Sequence, residues 1–286
     1  KSPPRMEGKV MISRKLIRAR LNLPVRRVKQ GQLEVFESHN FQAGFGNWGD
    51  HISGEIVAHF SGATTPVCTN PLVAGKTLVV GSVMSHALPG DCVWGAGCIA
   101  PGKTGHSRGK LDVRAVRGPL TLKELRKRFN VSPVPFGDPA LLMSQMYVLP
   151  ANQAIHEYGL IPHWIDAGLA VIERMKTLGV KIIDIRQPTQ SLILELASVK
   201  KVLSSSLHGL ILSDALGLPN ARVRLSSNVI GGDFKFSDYC LSVGREHSST
   251  PLDDKSTISK LNQIKFNDHI RWDADLILSS APWNHE

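Results

Sequence analysis

KVLSSSLHGLILSDALGLP, residues Lys201 to Pro219, reads as a short buried strand, a polar loop, a histidine, a helix and a stop. Lys201, Val202 and Leu203 begin the strand, and Ser204, Ser205 and Ser206 end it. Leu210, Ile211, Ala215 and Leu216 supply a helical apolar face, closed by Gly217 and Pro219. His208 therefore stands at a helix N-terminus, where free backbone N–H groups and the positive end of the helix dipole favour an anion. Three serine hydroxyls and one imidazole add donors, so a phosphate or carboxylate is the natural guest. Taken alone, a Ser-x-x-His is more simply a capped helix with a packed histidine, and the rest of the chain has to shift that balance.

The same rhythm runs to both sides. GLIPHW, residues 159–164, reads as a strand ending in Pro162-His163, before a helix from about Asp166 to Leu178 stopped by Gly179. Residues 181–186 read as a strand, 192–199 as a helix and 221–225 as the strand that follows the opening stretch. Upstream, Leu33, Val35 and Phe36 make a strand, the glycine-rich loop 40–50 follows, and Ile52, Ile56, Val57 and Phe60 line a helix. Residues 76–83 and 111–116 are two further strands. The turn Arg117-Gly118-Pro119 puts Arg117 at the carboxyl end of the second, where open α/β sheets place their ligands. Thr121 and Glu124 have the spacing of a capping box for the helix LKELRKRF, and FGDPALLM places Asp138 in another strand-end turn. After Leu225 periodicity is lost through IGGDFKFSDY, and helical patterning returns between Ile258 and Leu278.

Alternating strands and helices predict an α/β fold with parallel sheets covered by helices, and 286 residues suit two such Rossmann-like domains with a cleft between them. The expected division is a basic arm at 1–32, domains at 33–150 and 151–255, and a helical tail at 256–286 packing back across them.

The net charge of +10 invites a nucleic-acid partner, but its placement argues against one. Residues 1–30 hold ten basic residues and one acid, Glu7, which is nine of the ten net charges. The remaining body is nearly neutral and has no excess to spread along a phosphate backbone. Ile12, Leu16, Ile17 and Leu21 are spaced to line one side of a short helix, were this arm to form one, suited to peripheral contact with an anionic membrane surface; a solvated basic arm is the plain alternative. No apolar run reaches the roughly 18 residues of a membrane span, so a cytoplasmic, membrane-peripheral protein is expected. The chain begins at Lys1 and not at methionine, which leaves open an upstream anchor and, in a eukaryote, the Golgi lumen. Cys68, Cys92, Cys98 and Cys240 have neither CxxC spacing nor a paired histidine cluster, so neither a metal site nor a disulfide framework is expected.

Gly44, Gly46 and Gly49 match the GxGxxG of dinucleotide-binding loops, yet no Asp or Glu occurs between Glu55 and Asp91, where a nicotinamide enzyme needs one for the ribose. The loop is better read as one that lets a ligand approach the backbone, with Asp50 at its opening.

Asn47-Trp48-Gly49-Asp50, Val116-Arg117-Gly118-Pro119-Leu120-Thr121, Phe136-Gly137-Asp138-Pro139-Ala140-Leu141, Ile161-Pro162-His163, Ser204-Ser205-Ser206-Leu207-His208-Gly209 and Phe234-Lys235-Phe236 with Asp238-Tyr239 occur in that order. Together they resemble the polysaccharide pyruvyl transferase family, SSSLHG and RGPLT being the specific segments. The resemblance implies a fold like the GT-B glycosyltransferases. It also implies transfer of a pyruvyl group from phosphoenolpyruvate to two hydroxyls of one sugar, in a polysaccharide or lipid-linked glycan, giving a cyclic ketal and phosphate, with no further cofactor. Arg117 and the turn Ser204, Ser205, Ser206, Leu207, Gly209 can then hold the donor's anionic groups. His208, or else His163, protonates the methylene carbon, and Asp50 or Asp138 orients or deprotonates a sugar hydroxyl. The acceptor side is completed by Asn47 and Trp164. Some relatives carry an arginine where this chain has Ser206. A sugar-nucleotide glycosyltransferase of the same fold, using Asp273-Ala274-Asp275, is the alternative, although both acids read better as first-turn or exposed residues. A glycan-binding protein using Trp48, Trp94 and Trp164 is a further one.

Overall fold

The computed structural model of the chain describes residues 26–38, 47–105, 109–150 and 154–284. The charged residues 1–25 and Gly44 and Gly46 of the glycine-rich loop lie outside them.

Two parallel five-stranded sheets carry the fold. The first has the order β2-β1-β3-β4-β5, from Val67–Cys68, Val35–Phe36, Thr77–Leu78, Cys92–Trp94 and Asp112–Ala115. The second has the order β10-β9-β8-β6-β7, from Thr250–Pro251, Asn220–Arg224, Val199–Ser204, His156–Ile161 and Lys181–Ile182. Every strand pair is parallel. Parallel strands covered on both faces read as continuous apolar runs, and Leu160, Ile161, Val202 and Leu203 at the centre of the second sheet are fully buried.

The opening stretch folds as its pattern requires. β8 ends at Ser204 and the helix Leu207–Ala215 follows, buried all round from Leu207 to Ser213 because it packs between its sheet and the turn Pro139–Leu142. In the first sheet the strands are shorter than expected. Residues 76–83 pair only at Thr77–Leu78, since Gly81 at φ 101° turns the chain out of the ladder.

The tail packs on both sheets. The Trp94 indole donates to the Ile277 carbonyl at 3.0 Å, and Asn220 pairs with Asn267 as an antiparallel bridge. Trp48 joins the halves, its backbone N–H bonding Ile185 O and its indole N–H bonding Thr189 Oγ1, both at 3.0 Å.

Two local expectations are corrected. The helix Pro119–Arg126 is capped at Gly118 without a side-chain bond. Thr121 instead donates to Asp238, and Glu124 accepts from Gly102 N–H, because buried partners elsewhere in the chain outcompete the local capping box. IGGDFKFSDY, where periodicity was lost, contains most of the helix Phe234–Ser242. Its buried face holds Lys235 and Asp238 beside Phe236, Tyr239 and Cys240, so the apolar stripe is interrupted by polar residues.

Candidate functional site

β6 and β8 end side by side, Ile161 paired with Ser204, and the loops beyond them open into a cavity of about 310 Å³. The second half of the chain contributes His163, Trp164, Ser206, Leu207, His208 and Lys235. The first half contributes Asn47, Asp50, Ser82 and His86. Of the residues expected at the site, His208, His163, Asp50, Ser206, Leu207, Asn47 and Trp164 thus meet on one cavity.

His208 is 6% exposed, and its Nδ1 lies 3.0 Å from the Asn47 amide nitrogen. With that amide donating, the proton of the neutral ring sits on Nε2, which has no partner among the described residues. Gly49 makes the packing feasible: a Cβ there would stand 2.1 Å from His208 Nδ1. The glycine of Asn47-Trp48-Gly49-Asp50 is therefore required by the imidazole and not by a dinucleotide. Burial first, then Lys235, Arg117 and His163, push His208 down to about 3. His163 is pushed down to about 4 by burial and Lys235, and its Nδ1 accepts from Ile165 N–H at 3.3 Å. Both imidazoles are therefore neutral at pH 7 unless an anion stands beside them.

Lys235 is 7% exposed and holds no hydrogen bond among the described residues. Burial, with Arg117 adding and Asp50 opposing, lowers it to about 8. Asp50 is raised to about 7 by burial, against the Lys235 charge and with a smaller push from Glu37. The cavity therefore pairs a cation and a carboxylate whose proton affinities lie near each other and near neutral pH, beside two neutral imidazoles. Such clustering marks a chemically competent site. No group of three or more metal-ligating side chains occurs among the described residues, and Asp273 and Asp275 sit at the start of the helix Ala274–Ser279, Asp273 capping it.

Residues 106–227, which include His163, Trp164, Ser206, Leu207 and His208 of this cavity but not Lys235, match the family model for polysaccharide pyruvyl transferases. That segment is similar to polysaccharide pyruvyl transferases. The succinoglycan biosynthesis protein ExoV of Rhizobium meliloti is 27% identical over 135 residues, 46% of this chain and 41% of its own length. An uncharacterized protein of Acanthamoeba polyphaga mimivirus is 30% identical over 174 residues, 58% of this chain and 60% of its own. The chain thus spans about half the length of the curated relatives it matches. No solved structure matches it.

Within the matched segment, several expected ligand residues face elsewhere. Arg117 is fully buried behind Ser82. Its guanidinium donates to Ser82 Oγ at 2.8 Å, to Cys98 O at 2.7 Å and to Asp238 Oδ2 at 3.0 Å. Asp238 also accepts from Thr121 N–H and Oγ1, at 2.9 and 2.7 Å, so the RGPLT turn is clamped onto the helix Phe234–Ser242. A Cβ at Gly118 would lie 2.0 Å from Asp238 O, which is why this turn carries glycine. Arg117 thus takes no part in lining the cavity, because a guanidinium at a buried strand end binds the carboxylate that the fold brings to it.

Asp138 is also fully buried. It caps the turn Pro139–Leu142 through Ala140 N–H at 3.1 Å, and burial raises it to about 7. Its other oxygen has no partner among the described residues, and Asp138 does not line the cavity. Of the three serines, Ser204 ties the turn together by donating to Ile161 O and accepting from Ser206 N–H. Ser205 donates to Asp166 and accepts from His163 N–H. Gly209 packs on Ser204 Oγ. Only Ser206 of the three lines the cavity. The residue missed by sequence reasoning is Lys235. Its signal, Phe234-Lys235-Phe236, was visible as a motif, but no local pattern said that the lysine points inward.

Proposed function

We propose that this chain transfers a pyruvyl group from phosphoenolpyruvate to two hydroxyls of one sugar residue of a polysaccharide or glycan, releasing phosphate and closing a cyclic ketal. One observation carries the reading: a buried imidazole whose Nε2 has no partner among the described residues and a buried lysine without a side-chain hydrogen bond converge on one small cavity, beside a carboxylate whose proton affinity is displaced towards neutrality. A three-carbon phosphate with a carboxylate is the size and charge that such a cavity takes up, and Lys235 with Ser206 and the Nε2–H of His208 supply donors for it. The match to polysaccharide pyruvyl transferases and the succinoglycan biosynthesis relative support this substrate class.

The chemistry follows from the residues. The donor's negative charge raises the proton affinity of His208, which then takes a proton on Nδ1, with the Asn47 amide turned so that its otherwise unpartnered Oδ1 accepts it, and becomes the acid; His163, neutral and beyond the end of the neighbouring strand, is the comparison. The imidazolium proton goes to the methylene carbon, whose double-bond pair accepts it. A sugar hydroxyl then bonds to the adjacent carbon and gives its proton to Asp50. The second hydroxyl bonds to the same carbon, its proton leaving with the phosphate as the carbon–oxygen bond to phosphorus breaks. The two parallel sheets are read as the paired halves of a GT-B-like enzyme, and residues 1–30 as a peripheral contact with an anionic membrane surface. The test is phosphate release from phosphoenolpyruvate with galactosides, mannosides and glucosides, with ketal detection on the sugar by mass. Release that depends on a sugar supports the reading; release with no sugar, or none with any sugar, removes it.

A further inference from the structure

A second cavity, of about 520 Å³, opens beside the first at the carboxyl ends of β8, β9 and β10. Residues adjacent in the chain line one cavity or the other. Ser205, Val229 and Phe236 line the second cavity, while Ser206, Ile230 and Lys235 line the first. The second cavity is built for an anion. Arg222, 7% exposed, lies with its guanidinium carbon 3.6 Å from the centre of the Phe236 ring. It bonds Asp233 at 2.7 Å and the His247 ring, while its Nε is left without a partner among the described residues. Arg224 is exposed at the rim and holds no ion pair among the described residues. Ser227 adds an exposed hydroxyl. Asp233, also in the lining, offsets one of the two guanidinium charges, so one cation remains in excess.

We infer that this second cavity holds the phosphate or diphosphate group of a phosphorylated sugar, whose hydroxyls reach across the partition to the first cavity. Guanidinium forks match phosphate oxygens in pairs, and the apolar floor of Val223, Leu225 and Phe236 accepts the ring or chain beyond the phosphate. The assignment of this ligand as the acceptor rests on the pyruvyl-transfer reading; the anion site itself does not.

Inorganic pyrophosphate titrated calorimetrically into the full chain, with and without saturating phosphoenolpyruvate, is the probe. It is expected to bind in both conditions. Arg224→Gln should weaken it about tenfold, a loss within the range for one hydrogen bond to a charged group, and Ser227→Trp should block it. Both positions are exposed, so both variants should fold, and both should bind phosphoenolpyruvate as the parent does. A sugar 1-phosphate and a nucleoside diphosphate sugar, run as parallel arms, separate a monophosphate acceptor from a nucleotide-linked one by which shows the larger loss in Arg224→Gln. Pyrophosphate displaced by phosphoenolpyruvate, or binding that neither variant weakens, overturns the second site. If phosphoenolpyruvate itself fails to bind while pyrophosphate still responds to Arg224→Gln, the donor reading falls and the anion site stands.

Discussion

Arg117 and Lys235 are two buried cations that the same helix, Phe234–Ser242, brings within electrostatic reach of each other, and they differ in one respect. Arg117 has its guanidinium bonded to Asp238, Ser82 and Cys98, with no part of it facing the cavity. Lys235, on that helix, has no hydrogen bond among the described residues and a proton affinity lowered to about 8. A buried charge with satisfied partners holds elements together, whereas one left unsatisfied in a cavity is held ready for a ligand of opposite sign. Residue type and a strand-end position favoured the arginine as the ligand; partner count favours the lysine.

The largest expected effect separates these roles. Arg117→Met leaves Asp238 buried with its main cation gone, and should lower unfolding stability by about 3–5 kcal/mol, read by urea denaturation. A protein of unchanged stability that no longer binds phosphoenolpyruvate would return Arg117 to the ligand and end the comparison. His208→Gln should reduce turnover ~10²- to 10⁴-fold while donor affinity changes little, because the amide hydrogen-bonds but does not deliver a proton. His163→Gln is run beside it in single-turnover measurements. If that variant shows the large loss and His208→Gln only raises KM, the two histidines exchange roles.

Lys235→Gln should weaken phosphoenolpyruvate binding by about 1.5–3 kcal/mol by calorimetry, with stability moving by less than about 1 kcal/mol, since no paired partner is orphaned. A melt shifted as far as that of Arg117→Met would make Lys235 structural after all.

The mildest effect is on pH. Asp50 at about 7 must lose its proton to act as a base, so kcat/KM rises as pH climbs through about 7. Lys235 at about 8 must keep its proton to hold the donor, so donor binding weakens as pH rises through about 8. The pair predicts a narrow bell, and Lys235→Gln should remove its alkaline limb. Because His208 is held near 3 without ligand, donor binding near neutral pH should also take up a proton, measurable by calorimetry in buffers of different ionisation heat.

From residue order alone came the alternating strands and helices, the turn Ser204 to His208 at the end of one strand, His163 at the end of another, and Asp50 at the opening of a glycine-rich loop. These follow from local periodicity and from where loops must fall in a parallel sheet, which is why the donor-side wall was legible. Which polar groups face the cavity was not. Arg117 is turned away by Asp238, 121 residues further along, and Asp138 by its own cap on Ala140. The helix carrying Lys235 left no readable stripe, since two of its buried positions are charged. The sequence determined which side chains exist and which elements carry them. Only the tertiary structure decided which of them were satisfied, because a hydrogen bond or ion pair depends on what the fold brings within about 3 Å.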